Sequence, residues 1–261
     1  MFDFHMHSTV SCDGHDCPAK MIAAAQKAGL REICFTDHVD DDPLGDSSSL
    51  QYRLEDYEAA YSRLTAPDLK LRFGMEFGML ANNTAFAAQR TRERNYDFII
   101  GSVHFADNVD VYFPEYWEGK TVFQAERIYL QTILDCVTAH DDFDVLGHLT
   151  FLSKARRHPT HIPICLEDHR EVVTEIMKVL VSKGKGMEIN TSGVDRCGAY
   201  LPAPEYLRLF KELGGKIVTV GSDAHDAKRV GQYCHEACRI VQDIFGYVCT
   251  FENREPIFHK L

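Results

Sequence analysis

Imidazole and carboxylate side chains recur along the whole chain, and each follows a short apolar run. The set comprises His5, His7, His38, Glu76, His104, His148, Asp223 and His225. Mixed nitrogen and oxygen ligands suit zinc, manganese, iron or cobalt, whereas calcium prefers oxygen alone. Two or three such divalent cations held together lower the pKa of bound water towards neutrality. The pattern therefore predicts a polynuclear metal site that uses a metal-bridging hydroxide as its nucleophile.

Two pairs within this set share the same i, i+2 spacing: His5 with His7, and Asp223 with His225. Residues two apart on a strand point to one face, so each pair could act as a metal clip. Glu76 is the natural bridging ligand, because the two oxygens of a carboxylate can join cations about 3.5–4 Å apart. A single histidine is more often a surface or hydrogen-bonded core residue, but the full set favours a metal centre.

A basic run follows His148, beginning at Lys154 and continuing with Arg156 and Arg157. The planar guanidinium of arginine matches phosphate oxygens and can bind them with two parallel hydrogen bonds. We therefore predict that Arg156 and Arg157 clamp a phosphate group; a solvated basic loop would give the same pattern. Arg196 is a further candidate for phosphate binding, since it comes from the loop after the sixth predicted strand.

Short apolar runs alternate with longer amphipathic stretches, and the runs carry the candidate ligands. The predicted strands span residues 2–5, 32–36, 69–75, 97–103, 144–146, 186–190 and 216–220. The predicted helices span residues 18–30, 54–64, 84–95, 121–139, 166–183, 204–213 and 228–245. Seven strand–helix units predict a parallel sheet with helices on the outside.

Two architectures satisfy this alternation, an open sheet and a closed barrel. In an open sheet of seven strands about 4.8 Å apart, the two edges lie roughly 29 Å from each other, too far for their ligands to meet. A barrel gathers every carboxyl end around one mouth. We therefore predict a (β/α)7 barrel with the metal site at the C-terminal ends of the strands. No linker-like segment divides the chain, so residues 1–261 are predicted to form a single domain.

The composition is typical of a globular protein, with 45% hydrophobic and 26% charged residues. The net charge of −11 argues against a nucleic-acid partner, although bound cations would still attract an anionic substrate. The nine cysteines contain no CxxC pair, which favours reduced thiols in a cytosolic protein. We expect no secretory signal from the residues at the start of this sequence, and no apolar run reaches the roughly 20 residues needed to span a bilayer. We expect a cytoplasmic protein without a membrane partner; the oligomeric state stays open.

The order of these motifs resembles the polymerase-and-histidinol-phosphatase (PHP) superfamily, over nearly the whole chain. The matching motifs are His5-Met6-His7, Thr36-Asp37-His38, Glu76, Ser102-Val103-His104, Gly147-His148 and Gly221-Ser222-Asp223-Ala224-His225. The segment Glu188-Ile189-Asn190-Thr191-Ser192-Gly193 and Gly231 look like the stand-alone histidinol-phosphatase branch. The resemblance implies a distorted (β/α)7 barrel, similar to a TIM barrel, with a trinuclear metal centre.

The resemblance also implies how the ligands divide among three cations. The first would be held by His5, His7, Glu76 and Asp223, the second by Glu76, His104 and His148, and the third by His38, His225 and Asp13. For the last position we choose Asp13, in a Ser-x-Asp-Gly motif, over the nearby His15.

The reaction implied by the resemblance is hydrolysis of L-histidinol phosphate to L-histidinol and phosphate, in histidine biosynthesis. The predicted catalytic residues are Glu76, Asp223 and His225. The cations would neutralise the phosphate oxygens while hydroxide attacks phosphorus in line, and Asp223 or a metal-bound water would stabilise the leaving alkoxide. Arg156 or Arg157 would complete the phosphate pocket.

Other functional classes remain as alternatives. Another PHP-type phosphoesterase would act on a nucleotide or another small phosphomonoester. A metallo-amidohydrolase also starts from His-x-His, but that family usually adds a carbamylated lysine or a glutamate on its fourth strand. Here the fourth predicted strand ends in Ser102-Val103-His104. A metal-binding protein without catalysis is disfavoured because the ligand set is complete.

Overall fold

Short buried strands alternate with helices along the chain, as the apolar spacing predicts. The computed structural model describes residues 1–45, 47–155 and 162–260. Its strands are β1 (Phe2–Met6), β2 (Glu32–Phe35), β3 (His38–Val39), β4 (Lys70–Gly78), β5 (Phe98–Ser102), β6 (Phe105–Ala106), β7 (Val109–Asp110), β8 (Val145–Leu146), β9 (Gly186–Asn190), β10 (Val218–Gly221), β11 (Val248–Glu252) and β12 (Glu255–His259).

Eight α-helices are described within these ranges, and most lie between consecutive barrel strands. They are α1 (Pro18–Lys27), α2 (Leu54–Tyr61), α3 (Thr84–Arg90), α4 (Val122–Ala139), α5 (Arg170–Ser182), α6 (Val194–Cys197), α7 (Pro204–Glu212) and α8 (Cys234–Phe245). Short 3-10 turns span Ser47–Leu50, Pro114–Trp117, Phe151–Lys154 and Glu167–His169. None of the helices described in these ranges is both long and apolar enough to cross a membrane.

Seven parallel strands form a nearly closed barrel in the order β1-β2-β4-β5-β8-β9-β10. The first and last strands meet beyond their carboxyl ends. There the Asp223 N–H donates to the carbonyl of His5 at 2.7 Å, and the His7 N–H donates to the carbonyl of Ala224 at 2.8 Å. These bonds bring the first predicted ligands, His5 and His7, next to the last ones, Asp223 and His225. The predicted (β/α)7 barrel is confirmed.

Local sequence explains where several helices begin. In α4, the Thr121 side chain accepts a hydrogen bond from the Gln124 N–H, and the Gln124 side chain accepts one from the Thr121 N–H, which together cap the first turn. The last helix was predicted from residue 228 but begins at Cys234. Gly231 and Tyr233 have φ values of +71° and +58°, in the left-handed region, and so interrupt the helix before that point.

The chain ends in an antiparallel hairpin, β11 and β12, which the sequence analysis did not predict. The hairpin lies across the amino-terminal ends of the barrel strands, where Phe251 packs on Phe98 with ring centroids 4.8 Å apart. Its turn places Arg254 at φ +67°, and the Arg254 side chain forms an ion pair with the buried Asp144. The hairpin therefore covers the end of the barrel opposite the candidate ligands.

Candidate metal centre

The predicted ligands come from widely separated strands and converge at one end of the barrel. They lie in β1 or just after it, in β3 and β4, and in the loops after β5, β8 and β10. Glu76 differs slightly from expectation, because it lies inside β4 rather than after it. Pairing with β3 on one side and β5 on the other extends that strand to Gly78. Glu76 is therefore held rigidly on both sides.

The carboxylate of Glu76 is fully buried and forms the middle of the cluster. Its Oε2 lies 3.1 Å from His5 Nε2, 3.4 Å from His7 Nε2 and 3.1 Å from His38 Nδ1. These three imidazoles come from β1, the residue after it, and β3. One carboxylate oxygen thus faces ring nitrogens from two parts of the barrel.

The other oxygen of Glu76 faces the opposite side of the cluster. Oε1 lies 2.9 Å from His148 Nε2 and 3.4 Å from His104 Nε2, and it accepts a hydrogen bond from Ser102 Oγ at 2.6 Å. Because the two oxygens face separate sets of imidazoles, the carboxylate has the geometry required of a ligand that bridges two cations.

Asp223 supplies a second buried carboxylate, from the loop after β10. Its Oδ1 lies 3.4 Å from His7 Nε2, 3.7 Å from His5 Nε2 and 3.6 Å from His225 Nδ1. The backbone of Asp223 is in the left-handed region, with φ +55°. Such strain in a residue other than glycine persists where surrounding structure enforces it, often at functional sites.

Asp13 lies at the outer edge of the cluster, where the third cation was predicted. Its Oδ2 is 3.0 Å from His225 Nε2 and 3.7 Å from His38 Nε2. His15 is exposed, and its backbone N–H donates to the carbonyl of His225 at 2.8 Å. The side chain placed against these two imidazoles is that of Asp13, which favours Asp13 over His15.

Two of the imidazoles are oriented by buried carboxylates that the sequence analysis did not assign. His5 Nδ1 lies 2.7 Å from Glu188 Oε1, and His104 Nδ1 lies 2.6 Å from Asp40 Oδ1. A carboxylate on one ring nitrogen fixes the tautomer and aims the other nitrogen at a metal. A sequence signal for Glu188 existed, because it belongs to the motif at residues 188–193 that resembles the histidinol-phosphatase branch. Asp40 gave no such signal, because it lies in an acidic loop without distinctive spacing.

The structure meets a direct test of whether these residues fit cations. Within the described residues, four buried atoms in the middle of the cluster form no hydrogen bond, although each ring nitrogen lies 3.1–3.4 Å from Glu76 Oε2: His5 Nε2, His7 Nε2, His38 Nδ1 and Glu76 Oε2 itself. Buried polar atoms left unpaired in a folded protein require an explanation, such as an ion. Nitrogen and carboxylate donors of this kind suit divalent transition metals.

The charge distribution also fits cation binding. Burial and the neighbouring His38 and His225 lower the pKa of His7 to about 3, so that ring stays neutral. Burial alone would lower the pKa of His38, but Glu76 and other acids raise it to about 9. Glu76 itself is destabilised by burial, yet His5 and His38 hold its pKa well below the usual range. Cations would therefore replace protons on part of the cluster.

A cavity of about 560 Å³ opens from the cluster to the surface. Its lining includes four aromatic residues, Phe105, Tyr112, Phe113 and Phe151. Positively charged side chains also line it, and Lys154 Nζ lies 4.8 Å from the centroid of the Phe151 ring. A small organic molecule with an anionic group can therefore contact aromatic and cationic side chains in the same cavity.

The positively charged lining residues include Arg196, one of the predicted phosphate-binding residues, and Lys154. Lys154 Nζ forms an ion pair with Asp223 Oδ2 and donates to Ser192 Oγ at 2.8 Å. Lys154 belongs to the basic run noted in the sequence, but phosphate binding was predicted for the two arginines that follow it. Arg156 and Arg157 lie outside the described residues, so their placement stays a prediction.

Comparison with known proteins agrees with this geometry. The PHP domain family model matches residues 3–192 of the chain. The chain belongs to the PHP domain family. The histidinol-phosphatase of Lactococcus lactis is 34% identical over 256 residues, which cover 96% of this chain and 94% of that protein. A protein of Thermotoga maritima named probable histidinol-phosphatase is 26% identical and matches over the full length of both chains.

Two solved structures are similar to this chain over most of its length. The crystal structure of histidinol phosphate phosphatase from Lactococcus lactis, complexed with zinc, L-histidinol and phosphate, superposes with a TM-score of 0.87. Sequence identity to it is 30%, and the match covers 98% of each chain. A structure from Listeria monocytogenes has a TM-score of 0.76 at 19% identity and covers 90% of this chain and 99% of its own, which supports the fold.

Proposed function

We propose that this PHP protein is a metal-dependent phosphomonoester hydrolase that converts L-histidinol phosphate to L-histidinol and phosphate, a step of histidine biosynthesis. The observation that carries the proposal is the position of Glu76, buried between imidazoles from separate strand ends at the base of an open cavity. The Lactococcus lactis relative, whose structure holds zinc, L-histidinol and phosphate, supports this substrate.

We assign the cations to the ligand sets predicted from the sequence. These are His5, His7, Glu76 and Asp223; Glu76, His104 and His148; and His38, His225 and Asp13. In support, the metal-binding atoms of His5, His7 and Asp223 lie within 4.8 Å of one another, as do those of His5, Glu76 and His148. We propose two or three ions of zinc, manganese or iron.

Bound divalent cations supply two kinds of chemistry at such a site, activation of water as a nucleophile and neutralisation of charge on phosphoryl oxygens. The protein's own residues position the substrate. Arg196 lines the cavity and offers a planar guanidinium to phosphate oxygens. Lys154 also lines the cavity and adds a second positive group, which a hydrogen bond to Ser192 and an ion pair with Asp223 hold in place.

The surroundings of Asp223 favour ligation over proton donation. Burial raises the pKa of Asp223, but Lys154 and His5 outweigh burial and hold the pKa well below its usual range. An acid that stays ionised cannot give up a proton to a leaving alkoxide. We therefore assign Asp223 to cation binding and to holding Lys154 at the cavity wall.

The shape and charge of the cavity favour a small substrate over a polymer. Its aromatic lining residues can accept a planar ring, and Asp110 and Asp226 also line it. The whole chain has a net charge of −11, which disfavours approach of a nucleic acid. A small substrate with a phosphate and a cationic or aromatic group suits this combination of lining residues.

We also propose that residues 1–261 work as one domain. The PHP family match ends at residue 192, yet β10 and the ligands Asp223 and His225 lie after that point. Two backbone hydrogen bonds close the barrel against β1: the Asp223 N–H donates to the His5 carbonyl, and the Ala224 carbonyl accepts from the His7 N–H. A chain cut near residue 192 would lose both the closure and part of the ligand set.

A phosphate-release assay on metal-replete protein tests the function. The substrates are L-histidinol phosphate, p-nitrophenyl phosphate and nucleoside monophosphates, and we expect the highest kcat/KM for L-histidinol phosphate. A preference for a nucleotide would favour the alternative PHP phosphoesterase. No phosphate release from any monoester would contradict the hydrolase assignment.

A further inference from the structure

Ser11 links the side chain of one predicted ligand, His7, through hydrogen bonds to residues that have no assigned role. Its buried hydroxyl accepts a hydrogen bond from the His38 N–H at 2.9 Å and donates to Asp37 Oδ1 at 3.1 Å. The same oxygen lies 3.1 Å from His7 Nδ1. A serine hydroxyl has one proton to donate and two lone pairs. Since the proton goes to Asp37 and the His38 N–H takes one lone pair, His7 Nδ1 must be the donor to the other.

Asp37 has no proton to return to Ser11, because donors surround both of its oxygens. Oδ1 accepts from the Ser8 N–H at 2.8 Å as well as from Ser11. Oδ2 accepts from the hydroxyl of Tyr61. Three donors converge on one carboxylate, so Asp37 acts only as an acceptor. The direction of the hydrogen bond between Ser11 and Asp37 is therefore fixed.

Tyr61 extends the chain of hydrogen bonds to α2, on the outside of the barrel. Its side chain is buried, and its oxygen lies 2.7 Å from Ser8 Oγ. Ser8 Oγ in turn accepts from the Val10 N–H at 3.2 Å. Each donor in this series points towards Asp37. Two arms of hydrogen bonds therefore converge on Asp37, one from Tyr61 on the helix and one from His7 through Ser11.

We propose that Tyr61 and Asp37 are positioning residues that act through Ser11 to hold His7 in the tautomer with its proton on Nδ1. That tautomer leaves the lone pair of Nε2 facing Glu76 Oε2 and Asp223 Oδ1, each 3.4 Å away. This inference rests on the proposed metal centre, and it assigns a role to the Asp of the Thr-Asp-His motif. The same network could instead only tie loops together, and the test separates these roles.

The chain provides a matched control on the same helix. Tyr57 is also a fully buried tyrosine of α2, and its hydroxyl donates one hydrogen bond, to the carbonyl of Gly74 at 2.8 Å. Tyr57→Phe and Tyr61→Phe each remove one buried hydroxyl. Only Tyr61 connects to His7, so the two variants differ in that connection.

The measurement is the zinc affinity of metal-stripped full-length protein, determined by competition with a chelator, together with the melting temperature without metal. We expect Ser11→Ala to lower zinc affinity by about 10–100-fold, as for other residues that orient metal ligands. Tyr61→Phe should lower it by a smaller factor. Tyr57→Phe should keep wild-type affinity, although its melting temperature without metal also falls because a buried hydrogen bond is lost.

Failure of this inference is distinguishable from failure of the proposed function. A wild-type protein that binds no zinc would remove the metal centre itself. A wild-type protein that binds zinc, with Tyr61→Phe equal to Tyr57→Phe in affinity, would overturn only the positioning role. If Ser11→Ala does not fold, the comparison of the two tyrosine variants still decides.

Discussion

Replacing Glu76 with glutamine removes one negative charge from the middle of the cluster while keeping the side-chain shape. Glu76 Oε2 lies 3.1 Å from both His5 Nε2 and His38 Nδ1. A cation bound among these atoms would lie within about 4 Å of the carboxylate, and at 4 Å one pair of unit charges contributes about 4 kcal/mol when the effective dielectric constant is about 20. Because about 1.4 kcal/mol changes a binding constant tenfold, metal binding should weaken by at least about 10³-fold.

The assay for Glu76→Gln combines metal content by plasma mass spectrometry with phosphate release from L-histidinol phosphate. We expect Glu76→Gln to lose most of its metal and all measurable turnover. Its circular dichroism spectrum should be unchanged, because the surrounding imidazoles can release protons when the negative charge of Glu76 is lost. Glu32→Gln is the matched control. Glu32 is a buried glutamate on β2 paired with Arg72 Nε at 2.6 Å, so its loss should lower stability but keep the metal. Wild-type metal content and turnover in Glu76→Gln would refute the bridging role.

Three further substitutions test separate parts of the structure. Asp40→Ala removes the carboxylate whose oxygen lies 2.6 Å from His104 Nδ1 and should lower metal affinity by about 10–100-fold in chelator competition; unchanged affinity would exclude the orienting role. Arg196→Ala should raise KM for L-histidinol phosphate by about 10-fold or more at constant metal content, because a charge-assisted hydrogen bond is lost; steady-state kinetics with a normal KM would contradict phosphate binding. Arg254→Ala leaves Asp144 buried without its ion-pair partner and should lower the free energy of unfolding by about 1–3 kcal/mol in urea titration, without loss of metal; equal stability would show that the hairpin is held by other contacts.

The barrel could be predicted because both of its signals are visible in the order of residues along the chain. Strand and helix alternation follows from apolar spacing, and ring closure follows from ligands shared by the first and last strands. The hairpin β11–β12 escaped prediction because it follows the last strand–helix unit and its turn, Asn253-Arg254, lacks the glycine typical of such turns. Its conformation depends on contacts with Asp97 and Asp144, which are far away along the chain.

Apart from Asp13, which the family resemblance implied, the predicted ligands could be found because each stands directly after or within an apolar run. The residues that orient them could not be found in this way. Asp40, Ser11 and Asp37 have ordinary neighbours in the sequence, and their importance depends on which ring nitrogen each approaches in the folded protein. Lys154 was noticed only as part of a basic run; its ion pair with Asp223 joins residues from two different loops.

The central claim is that ligands distant along the chain gather around shared cations, and zinc-loaded crystals examined by anomalous X-ray diffraction test it most directly. We predict two or three anomalous peaks, each about 2.0–2.3 Å from ring nitrogens or carboxylate oxygens of the assigned ligands, with one pair bridged by Glu76. Absence of any peak among His5, Glu76, His104 and His225, or side chains directed away from one another, would contradict it.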